Sequence, residues 1–419
     1  MRPFIWKFNV ILFLGTCLLQ ANATPSYYHN DDRFQNRLES KAESLFWSIK
    51  NTPEPIPIVT SGSLSAKLPG AIDQIGTQVL IGNRSINTHI QSGGRFTIQS
   101  WFGHHQLFGF VANYLFLSPH SSQRTVSTTG LPGSPSIAVP IFDVSGFTGT
   151  NSPSPSESVY VLPGPFPNGP GFEGQFILEI KNRLQGAEVN GLINLGNIER
   201  LQFETLAGFR WLQFNEGLSF NVHTTGVHGA PTNGQFFNSQ DVFNTKNNFY
   251  GLQFGIRATY EFLGFFSSIT SRLSLGAIHE TINIYGKSMT SNGTLFFPVH
   301  GFATRPILGG IFAQPNNIGH YGKNSFDVLP EINLSLGYHL MEHMSLFAGY
   351  NFMVLDKVIR PGDQLNRNIN TTQTGLAEAS RASGSGIANV GPPAPSIVFH
   401  HSSLWIQGVN VGLKWIGGT

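Results

Sequence analysis

The chain has 419 residues and is close to neutral, with 25 Lys+Arg against 23 Asp+Glu, which argues against a nucleic-acid binder with a basic stripe. Only 11% of its residues are charged, well below the ~25% usual for soluble domains. The 47 glycines and 35 phenylalanines suit a chain of strands and turns with little need for a charged exterior.

The first element reads as an export leader. Arg2 and Lys7 give a positive start, Phe8 to Leu19 a short apolar core, and Ala21-Asn22-Ala23 a cleavage site. Residues 1–23 are therefore expected to be a signal peptide and 24–419 one mature domain. Cys17, the single cysteine, would leave with the leader, so neither a disulfide nor a cysteine metal site is expected. No later stretch offers the ~18 consecutive apolar residues of a membrane-spanning helix. An exported chain without a helical anchor is either a periplasmic or secreted protein or an outer-membrane β-barrel.

Alternating segments follow at 43–49, 95–102, 107–117, 173–195, 201–213, 249–262, 268–283, 326–340, 345–356 and 402–416. In 201–211 the odd positions include Leu201, Phe203, Phe209 and Trp211, and the even ones Gln202, Glu204, Gly208 and Arg210. The last, LWIQGVNVGLKW, sets Trp405, Val409, Val411, Leu413 and Trp415 against Gly408, Asn410, Gly412 and Lys414. Such lengths exceed the roughly five or six residues of globular strands and match the ~9–11 of tilted transmembrane ones. Asp327 and the charges at 204, 210, 257, 261, 272, 280, 331 and 414 all fall on the non-apolar parity, where a one-residue slip would put each into the apolar face. Trp405 and Trp415, ten residues apart on one face, would stand about 25 Å apart along the membrane normal, the height of a lipid-facing band.

The connections alternate in length. GHHQ, GNIER, LGFFSS and MEHM are short, whereas 118–171, 214–248, 284–325 and 357–400 are long and rich in Gly, Pro, Ser, Thr and Asn. Short turns at one end and long loops at the other are the outer-membrane arrangement. The expected fold is all-β: a transmembrane, antiparallel, up-and-down β-barrel of about ten strands, with short periplasmic turns and long extracellular loops. TQVLIG at 77–82 is a possible further strand, so eight to twelve are allowed. Lipid cannot satisfy backbone groups, so the sheet must close on itself.

Several stretches carry a resemblance: ESLFWSIKNTPEPIPIVTSG, LQGAEVN, LAGFRWLQFNE, NNFYGLQFGIR, GGIFAQPNNIGHYGKNSFDVLPEINLSLGYHL, GYNFMVLDKVIRPGDQLN and SSLWIQGVNVGLKW. In that order, from about 43 to 415, the chain resembles the seventh putative beta-barrel porin family. The resemblance implies an outer-membrane barrel and, by analogy, a channel, and it brings no catalytic residues with it. The IGGT after Trp415 departs from the terminal aromatic residue that barrel assembly machinery often recognises.

On the barrel reading, Glu204, Arg210, Arg257, Glu261, Arg272, Glu280, Glu331 and Lys414 line the lumen. Their mixed signs fit either cross-strand ion pairs that close a narrow lumen or weak permeation, rather than an ion-selective ring. Trp211, Tyr250, Tyr260, Tyr338, Tyr350, Trp405 and Trp415 are the expected lipid-facing aromatic girdle. In IRPGDQ, Arg360 and Asp363 could project over the pore mouth, although Pro361-Gly362 capped by Asp363 is also ordinary turn chemistry. Asn316 and Asn317 in QPNNIGHYG offer either ligand amides at the mouth or a tight turn. His104-His105 and His400-His401 lack metal-ligand spacing, and no G-x-S-x-G elbow is present, so no metal, cofactor or enzymatic activity is expected. The expected function is passive passage of small polar solutes across the outer membrane. The alternative is a non-conducting surface scaffold or adhesin that binds partners through 118–171 and 357–400. Outer-membrane lipid and the barrel assembly machinery are the expected partners.

Overall fold

The computed structural model describes residues 37–86, 89–102, 106–146, 154–291, 305–384, 388–397 and 399–418. The expected leader and the His104-His105 pair lie outside the described residues. In chain order the strands begin β1 (Arg37–Ile49), β2 (Thr52–Gly62), β3 (Gln78–Ile86), β4 (Ile90–Phe102), β5 (Phe108–Thr128), β6 (Ser136–Asp143), β7 (Ser156–Val161), β8 (Gly164–Phe166) and β9 (Gly169–Ile198). They continue with β10 (Leu201–Gly226), β11 (Phe236–Phe262), β12 (Phe265–Thr290), β13 (Ile307–Leu308), β14 (Gly319–Met341), β15 (Met344–Ile359), β16 (Asn368–Ile369) and β17 (His401–Gly418). The helix α1 (Gly375–Ala382) precedes β17.

Ten strands form a closed antiparallel wall in the order β1, β4, β5, β9, β10, β11, β12, β14, β15, β17 and back to β1. The closing pair runs from Arg37↔Gly418 to Ile49↔Ile406. The fold and the strand number thus agree with the sequence reading. The short turns sit at one end: 199–200, 263–264 and 342–343 each join two neighbours. Leu263 (φ 49°) and Gly264 (φ 81°) both adopt positive φ, the two-residue turn whose twist suits a hairpin and favours glycine.

The wall strands are longer than expected. β9 has 30 residues, β10 26, β11 27 and β12 26, well over twice what a membrane crossing needs. The expected loop 214–248 is mostly strand, since only 227–235 separates β10 from β11. The reason is a phase inversion. Up to Trp211 the outward positions of β10 are mostly apolar and the inward ones, Leu206 apart, polar or glycine; from Leu212 onward Phe214, Leu218, Phe220 and Val222 point inward and Asn215, Ser219 and Asn221 outward. β9 inverts likewise, with Val189 and Ile193 outside and Leu184, Ile180, Leu178 and Phe176 inside. The period of two holds through the inversion; only its polarity changes.

The greasy inner face of the upper wall is covered by a second sheet. Its five strands lie in the order β16, β6, β2, β3, with β7 beside β6. Ile58, Val59, Ile81, Ile137, Val139 and Ile141 of this insert share one buried cluster with Phe176, Phe220, Phe243 and Ile282 of the wall. TQVLIG is indeed strand, as β3, but it belongs to the insert and not to the wall. Among the described residues no helix is long and apolar enough to cross a membrane.

Candidate functional site

The lumen is the place where function would reside, and it is layered along the barrel axis. At the end of the short turns lies a polar chamber of about 110 Å³, lined among others by Arg37, Glu39, Lys41, Gln99, Arg257 and Lys414. Arg37 pairs with Glu39 at 2.9 Å, and Arg257 donates to Glu204 and Gln99, each at 2.9 Å.

The next layer is a buried ionic lattice. Arg95 grips Glu43 with two bonds, Nε to Oε1 at 2.9 Å and Nη2 to Oε2 at 2.6 Å, while its Nη1 donates to Asn351. Arg210 pairs with Glu331, which also receives Arg272 at 3.2 Å, and Glu188 stands 3.7 Å from both arginines. Gln253 and Asn113 donate to Glu188, and Asn410 donates to Glu43. Three arginines meet three glutamates, so the lattice is neutral, and a neutral, hydrogen-bonded set is the form in which charges tolerate burial.

Above it, inward side chains close the bore. Leu45, Trp47, Leu212, Phe214, Phe249, Leu404 and others form one buried apolar cluster. Gly408 faces Trp47 across the β1–β17 pair, and a Cβ there would lie 2.5 Å from Trp47 Cα, so glycine is what lets the indole lie against the wall. A ten-strand barrel has an interior that side chains can fill.

Over the apolar layer sits Arg360, fully buried. Its Nε and Nη2 bind both oxygens of Glu216 at 2.8 and 2.6 Å; Nη1 reaches the carbonyls of Lys50 and Asn51, and Nη2 also reaches Thr52. Arg360 therefore ties the first residues of the insert to β10 and does not project over an open mouth, because the insert occupies the space above it. Asp363 lies half-buried in the 3-10 turn Pro361–Gln364. Asn317 is buried and stitches its own loop, accepting from Gln314 N and donating to Phe312 O. Asn316 bonds Gln373 and the Ala394 carbonyl. The tight-turn reading fits both asparagines better than the ligand reading.

All eight expected lumen residues stand on inward positions: Glu204, Arg257, Glu261, Arg272 and Lys414 line the polar chamber, whereas Glu280 is fully buried against His401 and Ser325. The seven expected girdle residues point outward. Trp211 and Tyr250 are cross-strand partners at the upper edge of the apolar band, and Tyr260, Tyr338 and Trp415 lie near the short turns. Tyr350 departs from the expectation, since it pairs with Val409 between Trp405 and Trp415 and so lies inside the band, its hydroxyl donating to Gln407. The sequence reading missed Glu43, Arg95 and Glu188. The first two began their expected strands, where parity had no run behind it. Glu188 sits in the long β9, where Gln185 on the outward face blurs the alternation.

One buried acid in the insert sets a pH dependence. Glu54 is 1% exposed, both its carboxylate oxygens lack a partner among the described residues, and burial lifts its pKa from 4.5 to about 7. A carboxyl whose folded pKa exceeds the unfolded value favours folding when protonated. The insert should hold best below about pH 4.5 and lose roughly 3 kcal/mol as pH rises through 7. Limited proteolysis of 52–86 at pH 5 and pH 8 checks this, and Glu54→Gln should flatten the difference; an equal rate at both pH values in the parent would refute it.

A family model described as Putative beta barrel porin-7 (BBP7) matches residues 40–415. No curated protein matches the sequence. Among solved structures, the chain is similar to the outer membrane protease OmpT from Escherichia coli at 8% identity, covering 91% of this chain and 97% of that one, with a TM-score of 0.38. It is also similar to a Pseudomonas aeruginosa FadL homologue (8% identity, 92% and 90% covered, TM-score 0.22). An anion-selective porin from Comamonas acidovorans matches as well (8% identity, 91% and 99% covered, TM-score 0.18). The expectation of no enzymatic activity is corrected here: a protease stands among these barrels, so the lack of a nucleophile motif in the sequence excludes no catalysis. Likenesses this distant carry no activity over to the chain.

Proposed function

The chain belongs to the Putative beta barrel porin-7 family, and from that premise we propose that this outer-membrane barrel is closed at rest and serves to present its capped extracellular end at the cell surface. The observation that carries the reading is the stack of three seals. The ionic lattice around Arg210, the apolar layer around Trp47 and the insert above Arg360 fill the bore one after another. Each seal would have to open for a solute to pass. The insert is anchored by three separate connections to the wall, and the two layers below it are made of wall side chains and have nowhere to go.

Passive passage of small polar solutes is the second reading. The polar chamber at the short-turn end favours it, because a wet, charged entrance has no role in a barrel that is only a stake. Single-channel recording of the refolded chain in a planar bilayer separates the two. The expected result is a silent bilayer with insertion verified independently. Regular open steps from the parent protein would overturn the closed-barrel reading and restore passage past Arg210, Arg272 and Glu331.

A further inference from the structure

The chamber at the short-turn end holds two lysines that, among the described residues, no carboxylate reaches at ion-pair distance. Lys41 on β1 and Lys414 on β17 are direct cross-strand partners, both on the inward face. Like charges placed directly opposite each other destabilise a sheet. Arg37, Arg95, Arg257 and Arg272 each have a carboxylate within 4 Å; among the described residues Lys41 and Lys414 have none. Lys414 is only 8% exposed, and what its ammonium touches is the Phe266 ring, 4.5 Å from the centroid. Glu39 and Glu261 line the same chamber and lower the excess charge, Glu39 the more strongly, without closing on either lysine to ion-pair distance. Arg37 and Arg272 line the same chamber, and among the described residues their buried Nε groups have no acceptor.

Two ammonium groups held in register, one of them nine-tenths buried, repel each other and bear the cost of lost hydration, and an anion between them relieves both. The space at this point, about 110 Å³, is several times the ~10–15 Å³ that a single water centre requires, so a small hydrated ion fits. We propose that the chamber binds a small oxyanion, phosphate in character, between Lys41 and Lys414. The three or four oxygens of such an ion accept from several donors at once, which a chloride does less well. Binding here is independent of whether the barrel conducts, because the chamber lies below all three seals.

The test is a titration of the full-length refolded protein in detergent micelles with inorganic phosphate at fixed ionic strength, read by calorimetry and by phosphorus NMR line broadening, with chloride as the control. Saturable phosphate binding is expected, weakened at least tenfold by Lys41→Gln or Lys414→Gln and largely kept by Lys414→Arg. Lys181→Gln, on the exposed outer wall, should leave the affinity unchanged. Should a chamber variant fail to fold, the parent still decides: phosphate and not chloride raises its melting temperature by mass action. No saturable phosphate binding, or equal binding in both glutamine variants, overturns the site. A silent or conducting bilayer bears on the closed-barrel reading and leaves this result untouched.

Discussion

Replacing Arg360 with alanine should loosen the insert from the wall and cost about 3–5 kcal/mol, the usual penalty for stranding one half of a buried ion pair. Glu216 would be left with Thr52 as its hydrogen-bond donor, and the carbonyls of Lys50 and Asn51 would lose theirs. Both side chains of the pair are fully buried, so water cannot step in without opening the lumen. Lysine should rescue little, because one ammonium cannot make a forked contact with the carboxylate and also serve two carbonyls. An apolar pair, Arg360→Met with Glu216→Leu, should cost far less than either single change, since neither charge is then buried alone. Urea unfolding followed by tryptophan fluorescence, with protease sensitivity of 50–89, gives the comparison. An Arg360→Ala protein with parental stability and an intact insert would show that the pair holds nothing in place.

The second large effect is expected at Glu331. It answers Arg210 and Arg272 together, and both guanidiniums lie deep in the wall. Glu331→Ala removes one negative charge from a neutral lattice of three and three, leaving Glu188, now 3.7 Å from each arginine, to serve both. A loss of about 3–5 kcal/mol is expected, with a matching fall in refolding yield. Glu331→Gln keeps the shape and the acceptor oxygen and should lose less. Adding Arg272→Gln to Glu331→Gln should recover part of the loss, because the lattice is then neutral again. A double variant weaker than the sum of the two singles would sink the charge-balance account.

The ten wall strands could be read from the sequence because hydrocarbon outside and polar groups inside leave a period-2 trace in every crossing. Their upper halves could not be read by the same rule. Beyond Trp211 and Tyr250 the outside meets water and the inside meets the insert, so the same alternation carries the opposite sign. Phe214, Leu218, Phe220 and Val222 were in plain sight as an even-numbered apolar set, but only a reader expecting a filled barrel would take them for strand. The insert itself was hidden for another reason. β2 contains Pro53, Pro55 and Pro57 and pairs irregularly with β3, with three register shifts, so it lacks the regular alternation that marks a strand. At Arg360 the turn chemistry of Pro361-Gly362 was legible and the partner was not, since Glu216 lies 144 positions away.

The insert's attachments have a consequence for biogenesis. One inner segment leaves the end of β1 and another enters the start of β17, and these two strands are the pair that shuts the cylinder. Once that seam zips, a folded sheet cannot be threaded past Trp47 and Phe214 from below, and the greasy upper walls cannot stand empty in water. Filling and zipping must therefore be a single late event, with the seam as the last strand pair to register and the trapped sheet as its template.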